Sequence, residues 1–285
     1  MDINKPSWIR SSCSRHDIEK MESLMSNLSL NTVCVEANCP NRGECFRNRT
    51  ATFLILGKNC TRRCRFCNVQ HGTIVPPDTD EVKNVLQAAI TLNLKHVVIT
   101  SVTRDDLPDG GATHFANVVN EIKKNAPGVS VELLIPDLQG NMDALKIIMD
   151  SNPDILAHNL ETVPRLYPEV RPGADYQRSM DILAMAKKLN PNSITKTGIM
   201  VGLGETADEV AELLRESVVH CEGITIGQYL RPTPQHLPVV EYITPEQFAS
   251  YEKIAYNVGF SHVMSGPMVR SSYHAAEMLD SGGKK

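Results

Sequence analysis

From residue 51 onward, short apolar runs alternate with longer stretches in which apolar positions recur every three or four residues. The runs FLILG (53–57), HVVIT (96–100), VSVELLI (129–135), DILAHN (154–159), SITKTGIMV (193–201) and GITIGQYL (223–230) read as strands. Between them, Val82, Val85, Leu86, Ala89 and Ile90 share one helical face, as do Phe115, Val118, Val119 and Ile122. Segments near 141–150 and 177–189 supply two more helices. Thr206 with Glu209 forms a capping-box pattern ahead of Val210, Leu213, Leu214 and Val218, and Thr244, Pro245 and Gln247 do likewise ahead of Phe248 and Tyr251. SHVMSGP (261–267) is a candidate closing strand.

Six strand–helix units predict an α/β chain built on a parallel sheet, folded as an open, partial TIM-type (β/α)6 barrel. Such barrels carry their chemistry on the loops that leave the C-terminal ends of the strands. The rule places the loop after the first strand, TSVTRDD after the second, NLET after the fourth and VGLGE after the fifth on one face. Residues 1–50 show little periodicity apart from IEKMESLMSNL (18–28) and read as an N-terminal extension. The barrel then spans 51–265 and a tail 266–285.

Composition changes this picture little. At 285 residues, with 41% hydrophobic and 22% charged positions, the chain is long enough for one barrel with extensions and ordinary for a soluble domain. A net charge of −4 gives no pull toward nucleic acid or anionic membrane. The N-terminus lacks the apolar centre of a signal peptide and no run of 18 apolar residues occurs, so a cytoplasmic, reducing location is expected.

In such a compartment, six of eight cysteines crowded between positions 34 and 67 point to metal rather than disulfides. Cys60, Cys64 and Cys67 are spaced CxxxCxxC directly after the first strand. Three thiolates so close can hold three irons of a cubic [4Fe–4S] cluster and leave the fourth open to chemistry. A Cys3His zinc site completed by His71 is the bland alternative. Arg62, Arg63 and Arg65 stand among these cysteines, either as a solvated loop or as counter-charge for an anionic cluster. A second triad, Cys34, Cys39 and Cys45, is spaced CxxxxCxxxxxC and lacks a well-placed fourth cysteine. Cys221, beside an apolar strand, reads as a small buried hydrophobe, and Cys13 as a thiol near the chain end.

CxxxCxxC with Phe66 before its last cysteine resembles the motif of the radical S-adenosylmethionine (SAM) enzymes. With CVEANCPNRGECF, VRSSYHA, TSVTRDDLPDGGA and HNLETVPRLYPEVRPGADY, the resemblance narrows to the lipoyl synthase family and covers nearly the whole chain. It implies two [4Fe–4S] clusters and SAM as cofactors. One cluster would be held by Cys60, Cys64 and Cys67, and an auxiliary one by Cys34, Cys39, Cys45 and a tail serine, Ser272 or, less favoured, Ser271. It implies insertion of two sulfurs at C6 and C8 of an octanoyl-lysine on a lipoyl carrier domain, such as a dehydrogenase E2 subunit or glycine cleavage H protein. Ferredoxin or flavodoxin would supply electrons. Thr103, Asn159, Glu161, Arg171 and Lys196 are the candidate SAM contacts, and GIMVGLGE (198–205) resembles a stretch that packs near the adenine. From their types alone, Arg171 is as readily a surface arginine, the glycines simple turn formers and His158 a buried hydrogen-bonded histidine. DLPDGG and RPTPQHLPV read as loops able to frame the entrance for an acyl chain. Two rival readings are another sulfur-inserting radical SAM enzyme and a non-catalytic zinc or iron–sulfur protein.

Overall fold

The computed structural model describes residues 5–9, 19, 22–23, 25–36, 39, 41, 52–273, 275–276 and 279. Cys13, Cys45 and residues 18, 20, 21 and 24 of the 18–28 stretch lie outside them. The described elements are β1 (Asn31–Thr32), α1 (Val33–Glu36), β2 (Thr52–Ile55), α2 (Glu81–Thr91), β3 (His96–Ser101), α3 (Ala112–Asn125), β4 (Ser130–Leu134) and α4 (Met142–Asp150). There follow β5 (Ile155–Ala157), α5 (Tyr167–Val170), α6 (Tyr176–Leu189), β6 (Ile194–Val201), α7 (Ala207–Ser217), β7 (Gly223–Gln228), α8 (Pro245–Val258) and β8 (His262–Gly266). Strands succeed one another in chain order through an open eight-stranded sheet. β2, β3 and β4 pair in parallel, as do β6, β7 and β8, and β1 joins β2 antiparallel. This is the α/β partial barrel that the alternation predicts, with part of the N-terminal extension recruited as an edge strand.

The chain divides into two compact units. One holds Asn68–Leu156 with the described part of 12–62. Its core is built from the runs that read as strands and from one face of each helix: Phe53, Val97, Val98, Ile99, Val131 and Leu133 bury completely or nearly so, as do Phe115, Val118, Val119, Ile122, Leu145 and Ile148. The helix carrying the Val82–Ile90 face ends at Thr91, because Asn93 turns left-handed (φ +50°) and the Leu94 N–H returns to the Ala89 carbonyl at 3.0 Å. That is a Schellman-type ending with asparagine where glycine is more usual.

The other unit holds Arg63–Cys67 and the chain from Ala157. Leu183, Val201, Val210, Leu213, Leu214, Ile224, Ile226 and Phe248 form its core, with Phe66 packed against it. β5 is shorter than DILAHN because from His158 the chain leaves the regular ladder. It still bonds β6, through His158 N to Lys196 O (3.0 Å) and Glu161 N to Gly198 O (2.9 Å). The capping box is complete at α7: Thr206 Oγ1 accepts from Glu209 N and Glu209 returns to Thr206 N. Thr206→Ala is expected to cost about 1 kcal/mol in chemical unfolding, with an unchanged m-value. At α8 Thr244 caps Gln247 N behind Pro245 at the first helical position. Among the described residues no helix is long and apolar enough to cross a membrane.

Candidate active site

In the first unit, the chain leaves β2 through Leu56 and Gly57, at φ +66° and +89°. A leucine with positive φ is strained and persists only where its surroundings fix it. Here the Leu56 N–H donates to Glu81 Oε2 (2.8 Å), which also faces His114 Nε2 at 2.8 Å, and buried Arg104 donates to the Leu56 carbonyl (3.1 Å). A Cβ on Gly111 would lie 2.3 Å from Leu56 Cδ1, so glycine there makes room for the strained residue. The loop that follows carries Cys60, whose N–H donates to Gln70 O (2.9 Å) and whose Sγ accepts from Arg62 N (3.4 Å). Thr103 meets the loop through its carbonyl, which accepts both Thr61 N (3.0 Å) and Thr61 Oγ1 (2.9 Å). His71, the alternative zinc ligand, is exposed, with its Nδ1 3.4 Å from the Cys60 carbonyl.

In the second unit, Cys64 and Cys67 close a short turn, Cys67 N donating to Cys64 O at 3.1 Å. Arg65 N bonds the Val170 carbonyl, Leu237 N the Arg65 carbonyl, and the His236 ring the Cys67 carbonyl at 3.0 Å. The RPTPQHLPV loop therefore grips the cysteine turn, a role its composition does not suggest. Arg63 and Arg65 are exposed, Arg65 facing Glu169 at 3.3 Å.

Asn159, Glu161 and Arg171 are brought together. Glu161 sits at φ +66° in a three-residue turn closed by Thr162 N to Leu160 O (2.8 Å), the strained sense of that turn. Its backbone nonetheless pairs with Ile199, and its carboxylate accepts from Asn159 Nδ2 at 3.1 Å. Asn159 Oδ1 would lie 2.9 Å from a Cβ on Gly198, so only glycine lets that amide lie across β6. Burial raises the Glu161 carboxyl, opposed by Arg171 and by the Asn159 amide. Arg171 is 8% exposed, which removes the surface-arginine reading. Its Nη1 donates to Asn159 O (3.0 Å), Leu160 O (3.3 Å) and the Tyr167 hydroxyl (2.9 Å), and the guanidinium stands 5.2 Å from the Tyr167 ring centroid. Burial works against its charge, yet Tyr167, Glu161 and Cys64 hold its pKa above the ordinary arginine value.

Lys196 is fully buried in β6 and His158 is 1% exposed, as the buried-histidine reading expects. In GIMVGLGE, Gly202 and Gly204 take φ +98° and +107°, and Glu205 caps the turn through Gly202 N and Leu203 N. Gly204 is a turn former, whereas Gly198 and Gly202 also serve close approach, a Cβ on Gly202 standing 2.1 Å from the Gln228 amide nitrogen and 2.4 Å from the Glu241 carbonyl oxygen. Thr162 belongs to the same surroundings and nothing local in the sequence marks it. Thr162 Oγ1, Asn159 Oδ1 and Arg171 Nε are buried without a hydrogen-bond partner among the described residues, and a polar ligand would satisfy them.

The auxiliary triad is seen in part. Cys34 is buried in α1, and Cys39, half-buried, donates its N–H to the Cys34 carbonyl at 3.0 Å. Asn68, next after the CxxxCxxC motif, donates to the Glu36 carbonyl at the end of α1 (3.0 Å). Cys45 lies outside the described residues. The tail turns locally, Val269 N donating to Gly266 O (3.1 Å) and Tyr273 N to Arg270 O (2.9 Å), and the Val269 carbonyl comes so close to β7 that a Cβ on Gly227 would stand 2.2 Å from it. Ser271 and Ser272 lie half-buried in this segment. Cys221 is buried and its thiol pKa is pushed up by that burial, as its hydrophobic role requires.

Among the described residues, Cys34, Cys39, Cys60, Cys64, Cys67 and Cys221 form no disulfide with one another. Among the described residues no three His, Cys, Asp or Glu side chains are gathered in an ion-holding group. Cys60, Cys64 and Cys67 are partly buried thiols at the CxxxCxxC spacing, and Cys64 interacts with the buried Arg171 cation. This donor set fits an iron–sulfur cluster with one open iron.

The Radical SAM superfamily model matches residues 54–216. Methylornithine synthase shares the fold, with a TM-score of 0.57 at 16% identity over 86% of this chain and 77% of that one. The fold, the motif and this match define a radical SAM enzyme, with a [4Fe–4S] cluster and SAM as its cofactors. Two relatives narrow the class. Lipoyl synthase of Caldanaerobacter subterraneus subsp. tengcongensis is 55% identical over 96% of this chain and 97% of its own. That of Alkaliphilus metalliredigens is 51% identical over 97% and 96%. The chain belongs to the lipoyl synthase family.

Proposed function

We propose that the protein inserts two sulfur atoms, at C6 and C8 of an octanoyl chain amide-linked to a lysine of a lipoyl carrier domain, to make the lipoyl cofactor. The observation that carries this reading is a second cysteine set and an RSSYHA tail, both separate from CxxxCxxC, in a chain 55% identical to a lipoyl synthase. Residues 1–50 would contribute the auxiliary cysteines, 51–265 the barrel and 266–285 the closing tail.

Cys60, Cys64 and Cys67 are the ligands of the first cluster. When bound, that cluster and SAM supply a carbon radical able to take hydrogen from an unactivated C–H bond, which no side-chain base can do. Asn159, Glu161, Arg171, Thr103 and Lys196 orient SAM. The unsatisfied Asn159 Oδ1 and Arg171 Nε support the first and third of these assignments. Arg171 additionally supplies a buried cation that interacts electrostatically with Cys64.

The auxiliary cluster is a substrate in this reading: its sulfides enter the product and it is consumed. Cys34, Cys39 and Cys45 hold it with Ser272, a harder and more basic ligand than thiolate that is released by protonation. The carrier is a dehydrogenase E2 subunit or glycine cleavage H protein, electrons come from ferredoxin or flavodoxin, and the reducing cytoplasm keeps the thiols available.

The test is an anaerobic single-turnover incubation of the reconstituted protein with SAM, reductant and an octanoyl-lysine peptide, read by mass spectrometry. Gain of two sulfurs by the peptide is expected. Formation of 5′-deoxyadenosine with an unchanged peptide would refute the substrate while leaving the radical SAM chemistry standing.

A further inference from the structure

Arg62 stands between the first two cysteines of the motif, yet its side chain is only 8% exposed. Nε and Nη2 form a fork on Asp105, at 2.7 and 2.9 Å, and Nη2 also reaches Asp137 Oδ1 at 2.6 Å. Asp137 is fully buried and accepts from Gln139 N (3.1 Å), while the Gln139 amide donates to the Asp105 carbonyl (3.3 Å). Asp105 N in turn donates to Thr61 Oγ1 at 3.1 Å. The loops after β2, β3 and β4 are thereby interlocked around one guanidinium. Such two-bond forks fix orientation as well as position.

A device meant to set positive charge beside an anionic cluster would not match one cation with two carboxylates, which outnumber it. The guanidinium fixes geometry instead, and what lies at the other end of the residue is its backbone N–H, 3.4 Å from Cys60 Sγ. Hydrogen bonds to cluster sulfurs stabilise the more negative, reduced state and raise its potential.

We infer that Arg62 is a positioning residue: its clamp on Asp105 and Asp137 holds its own N–H against Cys60 Sγ, and that bond raises the reduction potential of the cluster Cys60 ligates. This rests on the cluster assignment made under Proposed function. The test is a redox titration of reconstituted full-length protein, following by electron paramagnetic resonance the cluster whose spectrum responds to SAM, in wild type, Arg62→Lys and Asp137→Asn. Both variants are expected to take up iron and to respond to SAM. In both, the reduction equilibrium falls about tenfold, which is about 59 mV for one electron.

The sign separates this from bulk electrostatics. Asp137→Asn removes a negative charge and through space alone would raise the potential, whereas a loosened clamp lowers it. An unshifted potential in Arg62→Lys, or a raised one in Asp137→Asn, overturns the inference. If Asp137→Asn fails to take up iron, Asp105→Asn removes the fork and is held to the same outcomes. A wild-type protein with no SAM-responsive cluster sinks the cysteine assignment and this inference with it; a responsive wild type with unshifted variants sinks the inference alone.

Discussion

Gly227→Ala is expected to abolish sulfur insertion while leaving reductive cleavage of SAM near the wild-type rate. The new methyl would stand 2.2 Å from the Val269 carbonyl oxygen and 3.1 Å from its carbon, so one of the two backbones has to move. β7 is held on both sides, Gly227 pairing with Met200 of β6 and Gly266 of β8. The tail lies outside that ladder, tied by Val269 N to Gly266 O and Tyr273 N to Arg270 O, and it is the part that yields. Overpacking of this kind costs about 1–3 kcal/mol, which the barrel survives. Ser272 is three residues beyond Val269, so its reach is lost with the tail. Ser272→Ala, which leaves the tail in place, is expected to give the same uncoupling. Counting 5′-deoxyadenosine against sulfur gained by an octanoyl-lysine peptide checks both. A parallel fall of the two products in Gly227→Ala would mean the tail supports the barrel rather than the sulfur source.

The features legible in the sequence are those written in local spacing. Apolar runs from Phe53 to Gln228 mark the six parallel strands, Thr206 and Glu209 mark the start of α7, and CxxxCxxC marks its own chemistry through ligand count. What escaped depends on residues far apart in the chain. Arg62 meets Asp137 across 75 positions and His236 meets Cys67 across 169, and neither partner carries a pattern that predicts the other. Gly198 looks like the turn glycines beside it. Its reason for being glycine is the Thr225 hydroxyl and the Asn159 amide, which a Cβ there would meet at 2.6 and 2.9 Å. Backbone strain is equally silent: leucine and glutamate at positions 56 and 161 contradict their usual conformations, and only the bonds of Glu81, Arg104 and Ile199 surroundings hold them. Such local conflicts gather at functional sites, because a positive-φ residue needs surroundings that over-determine it.

Arg171→Met is expected to lower SAM binding and cleavage about 100-fold, or about 2.7 kcal/mol, and to leave a protein whose stability deficit grows with pH. Methionine fills a similar volume but abandons the carbonyls of Asn159 and Leu160 and the hydroxyl of Tyr167. It also removes the cation that opposes desolvation at Glu161 and the one acting on Cys64. Breaking a buried charge arrangement by removing one partner costs about 3–5 kcal/mol. Burial already holds the Glu161 pKa above its unfolded value, so this carboxyl's contribution to stability is full below the unfolded pKa and is lost as pH rises through the folded one. Without Arg171 the folded pKa rises further, and a larger loss accompanies deprotonation. Thermal unfolding of the variant and the wild type across the acid-to-neutral range should therefore show the gap narrowing in acid and widening toward neutrality. Arg171→Lys, which keeps a charge without the planar fork, should recover the pH behaviour more fully than SAM binding. A gap independent of pH would show that the cation does not govern Glu161. Unimpaired SAM binding in Arg171→Met would remove the arginine from the cofactor's surroundings and leave it a brace for the turn at Glu161.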